Sequence, residues 1–231
     1  MPSLPPAIDL HVHSRGRGQL VVGLHDLNHT GRQMMDALSQ LGPREFCVVA
    51  PDLRGHGNSP APAGPWSIDD FASDVARVIS ERGGPAIVVG QGVGAATALA
   101  LALGHPSLVR GLVVTGVGPR NEDADAQDRW TKVARILHER GQEGIALTAE
   151  AMAARPDWRG ALPQIDVPAV VLAATGDRSV PVELQRELGT WLRQAQVHTV
   201  KAGHDVASEF PEALIDALRE ITAGDRTAVT A

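Results

Sequence analysis

Short apolar runs alternate with amphipathic stretches along almost the whole chain, and this alternation restricts the fold more than any other feature of the sequence. The runs QLVVGLHD (19–26), FCVVAPDL (46–53), AIVVG (86–90), GLVVTGV (111–117), AVVLAATGD (169–177) and QVHTVKAG (196–203) have the length and β-branched content of buried strands. Helical patterns separate them, among them SIDDFASDVARVISERGG, in which Phe71, Val75, Val78 and Ile79 share one face while Asp69, Asp70 and Arg77 lie off it. Strands that alternate with helices give right-handed βαβ units. The expected class is therefore α/β, with a mostly parallel central sheet and helices on both faces. The chain has 231 residues, 43% of them hydrophobic, enough for one such sheet and its core.

The alternation fails once, between residues 118 and 163. An acidic loop, NEDADAQD, leads into two helical patterns, RWTKVARILHERG and GIALTAEAMAAR. The expected organisation is a core of residues 1–117 and 164–222, a small helical cap at 118–163 and a flexible tail at 223–231. Insertions at strand ends are placed to cover a site. Trp130, Val133 and Leu137 form a stripe on the first cap helix. Such a stripe packs a cap onto a body in most proteins, and Trp130 is also a candidate for the pocket wall.

The stretch GQGVGAA (90–96) fits two incompatible patterns. As G-x-G-x-x-A it would cradle a dinucleotide, but it follows two earlier strands, and Val114, twenty residues beyond Gly94, stands where an acidic residue is required. As G-x-S-x-G it is a strand-to-helix elbow with Gly92 at the nucleophile's place. Asp177 just past one strand and His204 just past the final strand then follow in the order nucleophile, acid, histidine.

DLRGHGNS (52–59), the G-D-x-x-V-P around Asp177 and the A-G-H ending at His204, in this order, resemble the α/β-hydrolase superfamily over nearly the whole chain. The resemblance implies a Ser-His-Asp site under a helical cap. Carried onto this sequence, it makes Asp177 the acid, His204 the base, and the backbone N–H groups of Leu27 and Val93 the oxyanion hole. It also implies a small, largely apolar carbonyl substrate and, through hydroxynitrile lyases and cofactor-free dioxygenases, precedents for chemistry other than hydrolysis. Two positions depart from the pattern. Gly92 stands for the serine, and His25-Asp26 stands where the family usually has His-Gly. Glycine adopts the strained elbow conformation freely, so the turn is kept while the attacking oxygen is lost.

Three functions follow from this site. In the first, His204, oriented by Asp177 and near its ordinary pKa, is a general base without a covalent intermediate, for proton abstraction, C–C bond formation or cleavage, cyclisation or water activation. Asp26 is then an acid or base, or it holds a donor group of the substrate, or it serves only to stabilise its loop. In the second, the chain is a serine hydrolase inactivated at position 92; in the third, a silent binding protein. His25, His29 and Gln91 join Trp130 as candidate pocket residues. Ser179 and Ser208 are not at an elbow; the first suits a turn and the second a cap of the last helix.

Asp9, His11 and His13 form D-x-H-x-H, a metal-site pattern. Alternation gives the simpler account, in which Ile8, Leu10 and Val12 face the protein and the three polar side chains face solvent. No metal and no cofactor are expected. A net charge of −6 excludes a nucleic-acid or anionic-membrane partner, which leaves a small molecule, with the oligomeric state open. The single cysteine, Cys47, sits in an apolar run and is expected in the core. MPSLPPAIDL lacks a charged, apolar leader, and no run is long enough to span a bilayer, so the expected location is the cytoplasm.

Overall fold

The computed structural model describes residues 7–121 and 123–228, without the side chains of 224–228. Seven strands are present: β1 (Val12–Gly16), β2 (Gln19–Leu24), β3 (Phe46–Pro51), β4 (Ala86–Gln91), β5 (Val109–Thr115), β6 (Ala169–Ala174) and β7 (Ala195–Val200). The helices are α1 (Gly31–Ala37), α2 (Ile68–Glu81), α3 (Val93–Gly104), α4 (Ala124–Glu139), α5 (Glu143–Ala153), α6 (Val182–Trp191), α7 (Val206–Glu209) and α8 (Pro211–Ala228). The sheet order is β1-β3-β2-β4-β5-β6-β7. All neighbours run parallel except β1, which pairs antiparallel with β3 at the edge.

Alternation along the strands divides the core between the sheet's two faces. Leu20, Val22, Leu24, Val88, Leu112, Val114 and Val171 pack with α2, α3 and α6 on one face. Val21, Val48, Ile87, Val89, Val113 and Val170 pack with α1 and α8 on the other. Helix α3 differs from α2 because every residue from Val93 to Ala102 is buried, which explains its continuous apolar sequence. Helix α8 continues to Ala228, so residues 223–228 extend a helix where a tail was expected, and 229–231 lie outside the described residues.

Between β5 and β6 the chain makes its excursion through α4 and α5, which meet through Ala134, Leu137, Ala146 and Ala149. The two ends of the excursion come together, since the Trp158 N–H donates to the Pro119 carbonyl over 3.0 Å. Leu147, Ala151 and Met152 of α5 join the core beneath. At the contact with the 52–59 loop, Gly55 and Gly144 approach so closely that a Cβ on Gly144 would lie 2.5 Å from the Gly55 Cα. Cys47 is half-buried. No helix among the described residues is long and apolar enough to cross a membrane.

Candidate active site

The turn between β4 and α3 is built around glycine. Gly92 has φ 54° and ψ −114°, a left-handed backbone that side chains rarely tolerate. A Cβ on Gly94 would meet the Leu24 carbonyl oxygen at 2.1 Å, so the start of α3 lies directly against the end of β2. The loop after β2 therefore faces the elbow, and it carries Asp26.

Asp26 occupies the space that a side chain at position 92 would need. A Cβ on Gly92 would stand 2.0 Å from Asp26 Oδ1. The same oxygen accepts a 2.9 Å hydrogen bond from the Val93 N–H, one of the two expected oxyanion donors. Asp26 Oδ2 lies 3.0 Å from His204 Nε2. One carboxylate thus bridges the His204 ring and the first N–H of α3.

His204 is held from its other side by Asp177, whose Oδ2 is 2.8 Å from His204 Nδ1. A carboxylate only accepts hydrogen bonds when ionised, so a ring bonded to two of them donates from both nitrogens and is an imidazolium. Burial works against that charge, but the hydrogen bonds and charges of Asp177 and Asp26 outweigh it and raise the pKa of His204 to about 10. This corrects the sequence expectation of a histidine near its ordinary value. Burial would raise the Asp177 carboxyl, yet His204 and the N–H groups of Val180 and Ser179 hold it below the usual range.

A ring of polar contacts fixes this ion triad. Gln185, fully buried on α6, donates to Asp177 Oδ2 over 2.9 Å and accepts from the Ala174 and Gly116 N–H groups. Gly116, φ 66°, gives the His204 ring room, since a Cβ there would be 3.0 Å from His204 Cε1. Gln91 donates to Asp205 Oδ1 over 3.0 Å and accepts from the Ala207 N–H over 2.7 Å. Asp205 caps the short helix α7, and Ser208, expected to cap the last helix, lies within α7 instead. Gln185, Gly116 and Asp205 escape sequence reading; only the proximity of Asp205 to His204 hints at a role.

The remaining expected site residues fall in different surroundings. His25 is fully buried; its Nε2 accepts from the Leu53 N–H at 2.9 Å and its Nδ1 donates to the Asp26 carbonyl at 2.8 Å. Burial, then the neighbouring His56, lower its pKa to about 3, so it is a neutral brace between two loops and not a pocket wall. Gln91 likewise commits both ends of its amide to the histidine loop. His29 sits at the rim, with Nε2 3.7 Å from Asp205 Oδ2. Leu27 is half-buried against the core, and Trp130 packs both on that core and within the α4–α5 cluster. A groove of about 460 Å³ lies between α4 and α5, lined by residues such as Thr131, His138 and Glu150 and by none of the ion triad. Ser179 belongs to a turn in which its N–H donates to Asp177 Oδ1.

A family profile described as "Alpha/beta hydrolase family" matches residues 21–217. Lipase LipV of Mycobacterium tuberculosis is 40% identical over 110 residues, 46% of this chain and 41% of the lipase. A 2-(acetamidomethylene)succinate hydrolase of Mesorhizobium japonicum is 29% identical over 168 residues, 72% of this chain and 57% of that enzyme. The matches thus span only about half the length of these two relatives. A thermophilic esterase from Thermogutta terrifontis superposes with a TM-score of 0.84 at 25% identity, covering 91% of this chain and 92% of the esterase. With a seven-stranded sheet of this order and a profile match across most of its length, the chain belongs to the alpha/beta hydrolase family.

Proposed function

We propose that this chain is an enzyme that acts on a small, apolar carbonyl compound by noncovalent acid/base catalysis, with His204 and Asp26 as its proton-transfer pair. One observation carries the reading: the Asp26 carboxylate bridges the Val93 N–H and His204 Nε2 in the space that Gly92 leaves. The imidazolium is the acid. When its Nε2–H proton passes to a substrate oxygen, the Asp26 carboxylate is released from its ion pair and stands next to the reacting atoms, placed to accept a proton from water or from the carbon beside the carbonyl. Asp177 keeps the ring oriented throughout, from its Nδ1 side. The Val93 donor is engaged by the enzyme's own carboxylate, so charge that develops on the substrate is neutralised by proton transfer instead of by an oxyanion hole. The relatives named as a lipase, a hydrolase and an esterase support esters and related acyl compounds as the first carbonyl class to test.

The test is turnover of a panel of small esters and lactones by the wild type, Asp26→Asn and His204→Ala, beside fluorophosphonate labelling of the wild type. Each variant is expected to lose activity by ~10²-fold or more, with no label on the wild type. Unchanged turnover in Asp26→Asn refutes the role given to that residue.

The second reading is a serine hydrolase disabled at position 92, and the retained Asp177–His204 pair favours it. Relative to the family's usual arrangement, however, glycine and side chain have changed places between positions 26 and 92. Restoring the serine alone therefore sets it against Asp26.

A further inference from the structure

The D-x-H-x-H segment plays no part in the ion triad, and the fold gives it a different partner from the one its spacing suggests. Val12 pairs with Pro51 and His13 with Ala50 in the antiparallel β1–β3 ladder, and the Asp52 N–H donates to the His11 carbonyl over 2.9 Å just before it. The same register sets His11 opposite Asp52, while the two-residue period of a strand puts His13 on the same side. Asp9 remains exposed, joined to Arg77. His13 is not turned fully to solvent, because its Nε2 lies 3.2 Å from Asp52 Oδ1. The His11 and His13 rings stand edge to face, 4.8 Å between centroids.

We propose that His11, His13 and Asp52 form a binding site for one divalent transition-metal ion of the zinc class, with water completing its coordination. Two imidazoles and a carboxylate are the donor set such ions take, whereas magnesium and calcium require oxygen. At zinc–ligand distances, two ligands of a tetrahedral ion stand about 3.3 Å apart. The spacing between His13 Nε2 and Asp52 Oδ1 is already 3.2 Å, and the three donor atoms lie within 4.8 Å of one another. His11 is exposed, so rotation of its ring closes the remaining distance.

The carboxylate is oriented before any ion arrives. Asp52 is 1% exposed, with Oδ1 accepting from the Gly31 N–H at 2.8 Å and Oδ2 from the Asn58 N–H at 2.9 Å. An ionised carboxylate has about four acceptor positions, so these two bonds leave room for a metal in the direction that His13 now occupies with its proton. Outer partners of this kind hold a ligand in place. The Ser59 hydroxyl accepts from the His11 N–H at 2.9 Å and so ties the more exposed ligand to the same loop. A bound ion would join β1 to the 52–59 loop at the sheet edge.

The experiment is calorimetric titration of the full chain, prepared without a histidine tag, with zinc chloride, repeated with cobalt chloride to follow visible absorption. Wild type is expected to bind one equivalent, to develop cobalt bands and to unfold at a higher temperature with zinc. His11→Gln and His13→Gln are each expected to weaken binding on the order of tenfold or more, because each removes a direct ligand. His138→Gln is the control, because His138 with Glu143 and Glu150 is a rival cluster on the cap and its loss should leave affinity unchanged. Absence of binding by the wild type overturns the site, as does binding that survives either the His11 or the His13 substitution. Loss of binding in His138→Gln assigns the ion to the cap and also overturns it. The histidine variants keep Asp52 and its two backbone contacts, so the fold can be checked independently by circular dichroism.

Discussion

At the scale of single residues, the close approach of Asp26 to Gly92 has consequences in both directions. Gly92→Ser adds a side chain whose Cβ meets Asp26 Oδ1 at 2.0 Å, on a backbone with φ 54°. The left-handed conformation alone costs a serine about 1–3 kcal/mol, so the variant should unfold several degrees below the wild type. It should take no fluorophosphonate label, whereas Gly92→Ser combined with Asp26→Gly should label and hydrolyse p-nitrophenyl acetate. A labelled single variant would show that Asp26 leaves the position readily. Asp26→Asn removes one of the two carboxylates that keep His204 charged. The ring's titration, followed by NMR at Cε1, should therefore move down from about 10; an unmoved titration would mean that Asp177 alone sets it.

At the scale of elements, position in the fold decides what a residue type does. Gly144 is an ordinary helical glycine by sequence, yet it is where α5 meets the 52–59 loop, with its would-be Cβ 2.5 Å from both the Cα and the carbonyl oxygen of Gly55. Gly144→Ala must push α5 away, and overpacking of this kind costs about 1–3 kcal/mol, readable as a lower urea midpoint. Gln185 lies on α6, eight residues beyond the acid it supports. Gln185→Leu strands the Ala174 and Gly116 N–H groups and releases Asp177, at about 1–3 kcal/mol for a buried unsatisfied group. In the acid/base reading, turnover should fall more than stability. Equal retention of both would show that Asp177 needs no such support.

For the whole molecule, the half-buried His204 and the buried His25 give stability a defined pH dependence. His204 is raised from 6.5 to about 10, so its contribution is complete below pH 6.5 and disappears as pH climbs through about 10. His25 acts with the opposite sign. It is lowered from 6.5 to about 3, so between those values the unfolded chain binds a proton that the native state does not, and acid destabilises the fold. Asp177, held below its ordinary 3.8, adds to the loss at the acid end as pH falls through its folded pKa. The urea midpoint should be highest near neutrality and decline on both sides, with a weaker alkaline decline in Asp26→Asn. A profile flat from pH 7 to 10 in the wild type would contradict the doubly bonded imidazolium.

Much of this organisation is legible in the sequence because it rests on local periodicity. Apolar runs of strand length between 3.6-period helices specify the parallel sheet, and the glycines of GQGVG specify a turn that only small residues can make. The strand-to-helix turn at Gly92 and the places of Asp177 and His204 just past later strands are likewise readable from the chain, and the structure joins the last two by a hydrogen bond. What Asp26 does is not local, because its partners lie 67 and 178 positions away, and chain order carries no information about distances across that gap. The same holds for Asp52, whose meeting with His11 and His13 depends on the β1–β3 register, and for His25, whose neutrality depends on burial between two loops. Sequence by itself determined the sheet, the helices and the glycine turn at position 92, since these follow from side-chain size and spacing. Only the tertiary structure decided which charges meet and which protons are held, because electrostatic interaction depends on separation and burial, both of which are set when distant segments pack.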